Sequence, residues 1–225
     1  MLDLTGRTWC EAPLRFPRRV SRFHMLKVSH IVNSVFSSRT YILSNDAGNE
    51  FWLVDCGDVA SLMEAFSSMS CGSFVMKGVL LTHAHFDHIY GLPRLTELFP
   101  EVKVYTNEAG RRTLADSRRN LSRYHGEAIV YESDSVVVCE EGDVVELFDG
   151  VSARVYETPG HHPSCLTFEV GEFLFTGDSY IPGVAVVTVL PEAEKSLAAQ
   201  SQERIKSLAE GKILCPGHEV SGAEF

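Results

Sequence analysis

LTHAHFDHIYGLP, residues 81–93, sets three histidines and an aspartate within six positions: His83, His85, Asp87 and His88. With 9 His in 225 residues, chance produces such a cluster in on the order of one chain in a thousand. It therefore asks for a chemical reason. The preceding KGVLLT, residues 77–82, is apolar and β-prone and reads as a buried strand over 78–82. Side chains two apart on a strand share a face, so His83 and His85 at its end should point the same way. Asp87 and His88 follow in the turn that leads into a helix. Neutral imidazoles and a carboxylate converging on one spot suit zinc, or iron and manganese as oxygen donors increase.

Length and charge narrow the setting. A chain of 225 residues can bury one sizeable core. Its 30 acidic against 20 basic residues give a net charge of −10, which repels phosphate backbones and argues against a nucleic-acid partner. Cys10, Cys56, Cys71, Cys139, Cys165 and Cys215 form neither a CxxC pair nor a short-chain framework, which predicts reduced thiols in a cytoplasmic protein. Cys165 and Cys215 stand near ligand-type residues but read as buried thiols. No apolar run approaches a membrane span. Residues 1–24 carry five Arg against one Asp and one Glu without clear periodicity. They are expected to be appended and outside the fold, with a transit peptide as the alternative, leaving 25–225 as a single domain. The terminal SGAEF reads as a scar of the same kind.

Along the body, 26–33, 40–44 and 51–55 read as strands and 58–69 as a short helix. A helix over 92–100, a strand over 102–106 and a basic helical segment over 107–126 come next. The second half opens with SVVVCEEGD and further β-rich sequence, then the helix-like 192–210, with Leu197, Ile205 and Leu208 on one face, and a last strand, KILCP. Two β-then-α halves predict two sheets packed face to face with helices outside. Ligand-type residues recur just after apolar segments and a glycine: His161 and His162 in TPGHHPS, Asp178 in FTGDS, and His218 in CPGHE.

The chain resembles the metallo-β-lactamase fold superfamily in VDCG at 54–57, THAHFDH at 82–88, TPGHH at 158–162, TGDS at 176–179 and PGHE at 216–219. The resemblance covers nearly all of 26–220. It implies an α+β fold, a four-layer αββα sandwich of two mixed β-sheets flanked by helices, with a two-metal site on its edge. It assigns His83, His85 and His161 to one ion and Asp87, His88 and His218 to a second, with Asp178 bridging them. Asp55 of VDCG would either hold a ligand histidine in the right tautomer or be an ordinary strand-end carboxylate. Two ions sharing a water would lower its pKa and supply a bridging hydroxide as nucleophile, so no Ser or Cys nucleophile is needed.

Within that family, Asp at 178 and the lack of a secretory leader set the chain apart from true β-lactamases. Hydroxyacylglutathione hydrolase, glyoxalase II, shares all seven ligands but carries a helical domain after the last histidine that helps bind glutathione. Only seven residues follow His218 here. SYIPGVAVVT after Asp178 departs from the persulfide dioxygenases, and the acidic balance departs from the tRNA-processing nucleases. Asp87, Asp178 and Tyr180 are the side chains expected at the reacting centre, Tyr180 through a hydroxyl aimed at a developing oxyanion, or else packed beneath the site. His162 is an outer proton donor or, by preference, a solvated turn residue. Arg111, Arg112, Arg118, Arg119 and Arg123 would grip a carboxylate or phosphate if the substrate is anionic, and otherwise form a solvated face. The expected function is a dinuclear hydrolase of a small ester, thioester or lactone, with two divalent ions, zinc first. A phosphodiesterase or nuclease of the same fold and a non-catalytic metal-binding protein are the alternatives.

Overall fold

The computed structural model describes residues 26–45, 48–69 and 73–219. The predicted appended segment, 1–24, and the terminal SGAEF lie outside them. The first sheet runs β1 (Lys27–Val32), β2 (Arg39–Ser44), β3 (Glu50–Val54), β4 (Val75–Leu80), β5 (Lys103–Thr106) and β6 (Val136–Val138), in that spatial order. Its first three strands are antiparallel and the rest parallel. The second sheet comprises β7 (Val144–Phe148), β8 (Val151–Glu157), β9 (Leu166–Val170), β10 (Phe173–Gly177) and β11 (Ile213–Pro216), antiparallel except for the β10–β11 pair. Helices α1 (Val59–Met69), α2 (Phe86–Ile89), α3 (Leu92–Leu98), α4 (Glu108–Leu114) and α5 (Lys195–Leu208) complete the sandwich. No helix among the described residues is long and apolar enough to cross a membrane.

The two-residue period of a strand sorts the core into two layers. On β2 and β3, Tyr41, Leu43, Trp52 and Val54 face the second sheet and pack with Leu147, Val155, Phe168 and Phe175. Their alternates Ile42, Phe51 and Leu53 face the helices and pack with Leu62, Phe66, Leu92 and Leu95. Both faces of these strands are covered, so all six residues of β2 are buried. Hydrogen bonds tie the sheets together: Trp52 Nε1 donates to the Leu147 carbonyl at 2.9 Å and the Tyr41 hydroxyl to that of Pro216 at 2.8 Å.

Several elements depart from their predicted bounds. β4 ends at Leu80 rather than at residue 82 because two side-chain and cross-sheet bonds capture the next backbone groups. The Thr82 N–H donates to Asp55 Oδ1 at 2.8 Å, and the Thr82 carbonyl accepts from Leu166 N–H of β9 at 2.7 Å. The chain thus leaves its sheet at Thr82, and His83 and His85 stand in a loop rather than on one strand face. β6, expected with the second half, is the edge of the first sheet. α4 starts where Asn107 accepts from the Gly110 N–H at 2.8 Å, but stops at Leu114. Beyond it Asp116 accepts from the Arg118 N–H at 2.8 Å and Asn120 from the Ser122 N–H at 3.0 Å. Such local bonds compete with helix. On α5 the buried line is Ala198, Ser201 and Ile205 rather than Leu197 and Leu208.

Candidate metal centre

The ends of the parallel strands define the site's position, since strands β3 and β4 and strands β10 and β11 each emit their following loops at the same edge. The loop after β4 carries His83 and His85, and α2 carries Asp87 and His88. The β8–β9 loop brings His161, the residue after β10 is Asp178, and two residues after β11 comes His218. Two glycines permit this crowding. A Cβ at Gly177, where φ is +49°, would stand 2.4 Å from Thr82 Oγ1, and one at Gly217 would stand 2.3 Å from Asp178 Oδ1.

All seven side chains named from the sequence as ligands meet. His83, His85 and His161 offer donor atoms within 4.8 Å of one another; so do Asp87, His88 and His218, and so do His83, His88 and Asp178. Asp178 sits between the other two sets: its Oδ1 is 3.5 Å from His88 Nε2, and its Oδ2 is 3.6 Å from His161 Nε2 and 3.3 Å from His218 Nε2.

Three of the five imidazoles are fixed from behind. His88 Nδ1 lies 2.8 Å from Asp55 Oδ2, and the same carboxylate accepts from the Thr82 hydroxyl at 2.7 Å. Asp55 holds that position from the left-handed region, φ 61°, a conformation a non-glycine residue keeps only where its surroundings enforce it. His161 Nδ1 lies 2.9 Å from the Val187 carbonyl and His218 Nδ1 2.9 Å from the Phe36 carbonyl. The Ser38 hydroxyl donates to the Asp87 carbonyl at 2.7 Å. Sequence reasoning left Asp55 open and missed Thr82, Ser38 and the two carbonyls. A backbone carbonyl has no residue signature, so no motif could have revealed Phe36 or Val187.

The electrostatics fit a cation. Burial, and then the neighbouring imidazoles, push His83 and His85 well below their ordinary pKa of 6.5, leaving neutral rings with free lone pairs. His83 Nε2, His85 Nε2 and Asp178 Oδ1 are buried without a hydrogen-bond partner, an arrangement that is expensive unless something else completes it. His88 is pushed the other way, up to about 10: burial opposes its charge, but Asp87, Asp55 and Asp178 overcome burial. Asp178 is held well below the usual carboxylate range because His88 and His218 outweigh its desolvation. Neutral nitrogens on one side and a negative field on the other form a donor set suited to divalent ions.

Of the remaining predicted residues, His162 abuts the centre, its ring centroid 4.8 Å from that of His85, and the others stand elsewhere. Tyr180 lines neither cavity at the centre; its carbonyl accepts from the Thr176 hydroxyl at 2.7 Å, and its side chain is within electrostatic reach of Lys206 on α5. His162 is not a solvated turn residue: it is 1% exposed, its Nδ1 is 2.7 Å from Ser164 Oγ, and burial pushes its pKa down to about 4. Of the arginine run, Arg111 donates to Glu108 at 2.8 Å and Arg119 pairs with Glu192 at 3.1 Å, while none of the five lines the centre.

Comparison with known proteins agrees with this geometry. The chain is 26% identical over 185 residues to a hydroxyacylglutathione hydrolase of Salmonella typhi, an alignment covering 82% of this chain and 63% of that protein. It therefore spans less than two thirds of the length of the curated relatives it matches. Among solved structures, BLEG-1 B3 metallo-beta-lactamase superposes with a TM-score of 0.75 at 26% identity, covering 86% of this chain and 92% of that one. TTHA1623, solved in a di-iron-bound form, gives a TM-score of 0.71 at 26% identity, with 85% and 92% covered. The family model described as metallo-beta-lactamase superfamily matches residues 35–218, a span from the turn after β1 to the last histidine of the centre, and the chain belongs to that superfamily.

Proposed function

We propose that the protein is a metal-dependent hydrolase that cleaves a small ester, thioester or lactone at a two-ion centre. The carrying observation is the convergence of seven imidazole and carboxylate side chains from both sheets, three of whose buried donor atoms are unpaired. His83, His85 and His161 would hold one ion, Asp87, His88 and His218 the other, and Asp178 both. Zinc suits this donor set, and iron or manganese are the other candidates. The di-iron form of TTHA1623 supports two ions, and the hydroxyacylglutathione hydrolases support thioester chemistry. When bound, divalent ions lower the pKa of water toward neutrality and polarise a carbonyl. The chain's own contribution is orientation: Asp55, Val187 and Phe36 hold His88, His161 and His218 from behind, so no side chain must reorganise when a substrate arrives. Asp87, whose Oδ2 lies 3.4 Å from His218 Nε2 and which lines the cleft, is placed to hold the proton released as water adds to the carbonyl. Four buried cysteines without disulfides support a cytoplasmic setting. A small molecule is the expected substrate, since the chain's net charge is −10.

Elemental analysis after zinc-supplemented expression, with a panel of thioesters, lactones and bis-phosphodiesters, tests this. About two ions per chain are expected, with turnover confined to the first two groups and abolished by chelation. Fewer than one ion per chain would overturn the two-ion reading. Faster cleavage of phosphodiesters would overturn the ester reading, and full loading without any turnover would leave a metal-binding protein.

A further inference from the structure

Two cavities open on the centre. The first, about 370 Å³, has His161, Asp178 and His218 at its floor and a wall of Ile181, Val184, Ala185, Val186 and Val187, with Glu219 at its edge. The second is of the same size, shares that floor and Val187, and adds Phe36, Phe86, Leu121 and His125. Neither contains a lysine or an arginine. A binding site for a multiply charged anion is built from such cations, usually as bidentate arginine contacts. Here the only formal charge beyond the seven converging residues is negative.

Each cavity carries a further mark of a ligand surface, the first on its wall and the second at Phe36 and Leu121. Val184 and Val187 are 42% and 46% exposed, side by side with the buried centre, so apolar surface is left uncovered where a substrate would cover it. Phe36 and Leu121, at φ 53° and 69°, are bulky residues in the left-handed region, and both border the cleft. Such strain gathers at ligand clamps because the surrounding structure has to enforce it.

We propose that the first cavity seats an uncharged, apolar acyl chain of the substrate against Ile181, Val184 and Val187, and that the cleft discriminates against acyl groups ending in a carboxylate. This rests on the hydrolase reading and names the substrate class for it. The scissile carbonyl lies over His161, Asp178 and His218, the floor common to both cavities, so the acyl chain runs into one and the leaving group into the other. A cavity of this volume is within the range of small-ligand sites, about 300–1,000 Å³.

The test uses the metal-loaded protein and a series of N-acetylcysteamine thioesters: butanoyl, hexanoyl, and adipoyl, which matches hexanoyl in length but ends in a carboxylate. From butanoyl to hexanoyl, kcat/KM should rise about threefold per added methylene. Adipoyl should fall at least about tenfold below hexanoyl, and Val184→Lys should shrink that ratio about tenfold by placing a cation in the wall. Ketone analogues with the sulfur replaced by methylene, which cannot be hydrolysed, are titrated by calorimetry into the same proteins and should bind in the same order. Adipoyl turned over as well as hexanoyl would overturn the inference while the hydrolase reading stood. Tight, Val184→Lys-sensitive binding of the hexanoyl ketone without turnover of any thioester would uphold the cleft and overturn the hydrolase reading. Neither turnover nor binding would overturn both.

Discussion

His88 is gripped by carboxylates at both ring nitrogens, with Asp55 Oδ2 2.8 Å from Nδ1 and Asp178 Oδ1 3.5 Å from Nε2. The two acids act on different things. Asp178 faces the proposed ions and supplies charge to them; Asp55 faces away and fixes the ring. Asparagine at either position keeps the size, and at Asp55 it tolerates the left-handed backbone that most residues avoid. Asp178→Asn should retain one ion after dialysis and lose at least about 100-fold in turnover, since it removes a charge from a preorganised site. Asp55→Asn should still take up both ions but about 10–100-fold more weakly. Metal titration of the two variants checks this: equal loss of stoichiometry in both would refute the division of labour. The seven residues that converge were legible because imidazole and carboxylate are side-chain chemistry packed into short motifs. The direction of Tyr180 was not legible, because sequence distance from Asp178 says nothing of it; the chain turns back there so that the Tyr180 carbonyl meets Thr176.

The turn between β1 and β2 is held by a neighbour distant in sequence. Asp58 accepts from the Ser34 N–H at 2.6 Å, the Ser34 hydroxyl at 2.9 Å and the Tyr90 hydroxyl at 2.6 Å. Burial acts to raise its pKa, but these bonds prevail and hold it below its ordinary 3.8. A depressed folded pKa means a contribution to stability that is complete above the unfolded value and lost as pH falls through the folded one. Asp58→Asn should therefore be less stable than the parent at pH 6, and the gap should close as pH drops below about 4. Urea midpoints across pH 3–6 read this out, and a gap that stays constant would show that charge has no part in it. Strand and helix existence was readable from periodicity, whereas ends were set by bonds from other elements. β4 stops where Asp55 and β9 take the backbone of Thr82, and no local pattern in KGVLLT records that.

Between them, the sheets each supply part of the centre: residues 83–88 follow the first, and His161, Asp178 and His218 follow strands of the second. Ions bound there would cross-link the two layers as well as serve chemistry. At free metal about 1,000 times its dissociation constant, the native state gains about 4 kcal/mol for each ion bound. For a chain of 225 residues that corresponds to a rise of about 10 °C in Tm per ion. Calorimetry of zinc-loaded against chelated protein measures it, and a difference under about 2 °C would argue against ions that span the layers. Ser38 pairs with His218, and the Phe36 carbonyl meets the same residue 182 positions along the chain. Synthesis proceeds from the amino end, so this early turn waits until the chain as far as His218 has left the ribosome. Until His218 emerges, the Asp87, His88 and His218 set is incomplete and the Phe36 carbonyl has no imidazole to hold. A nascent chain could close the His83, His85 and His161 set and the His83, His88 and Asp178 set before that point, so the set that His218 completes would be the last of the three to form.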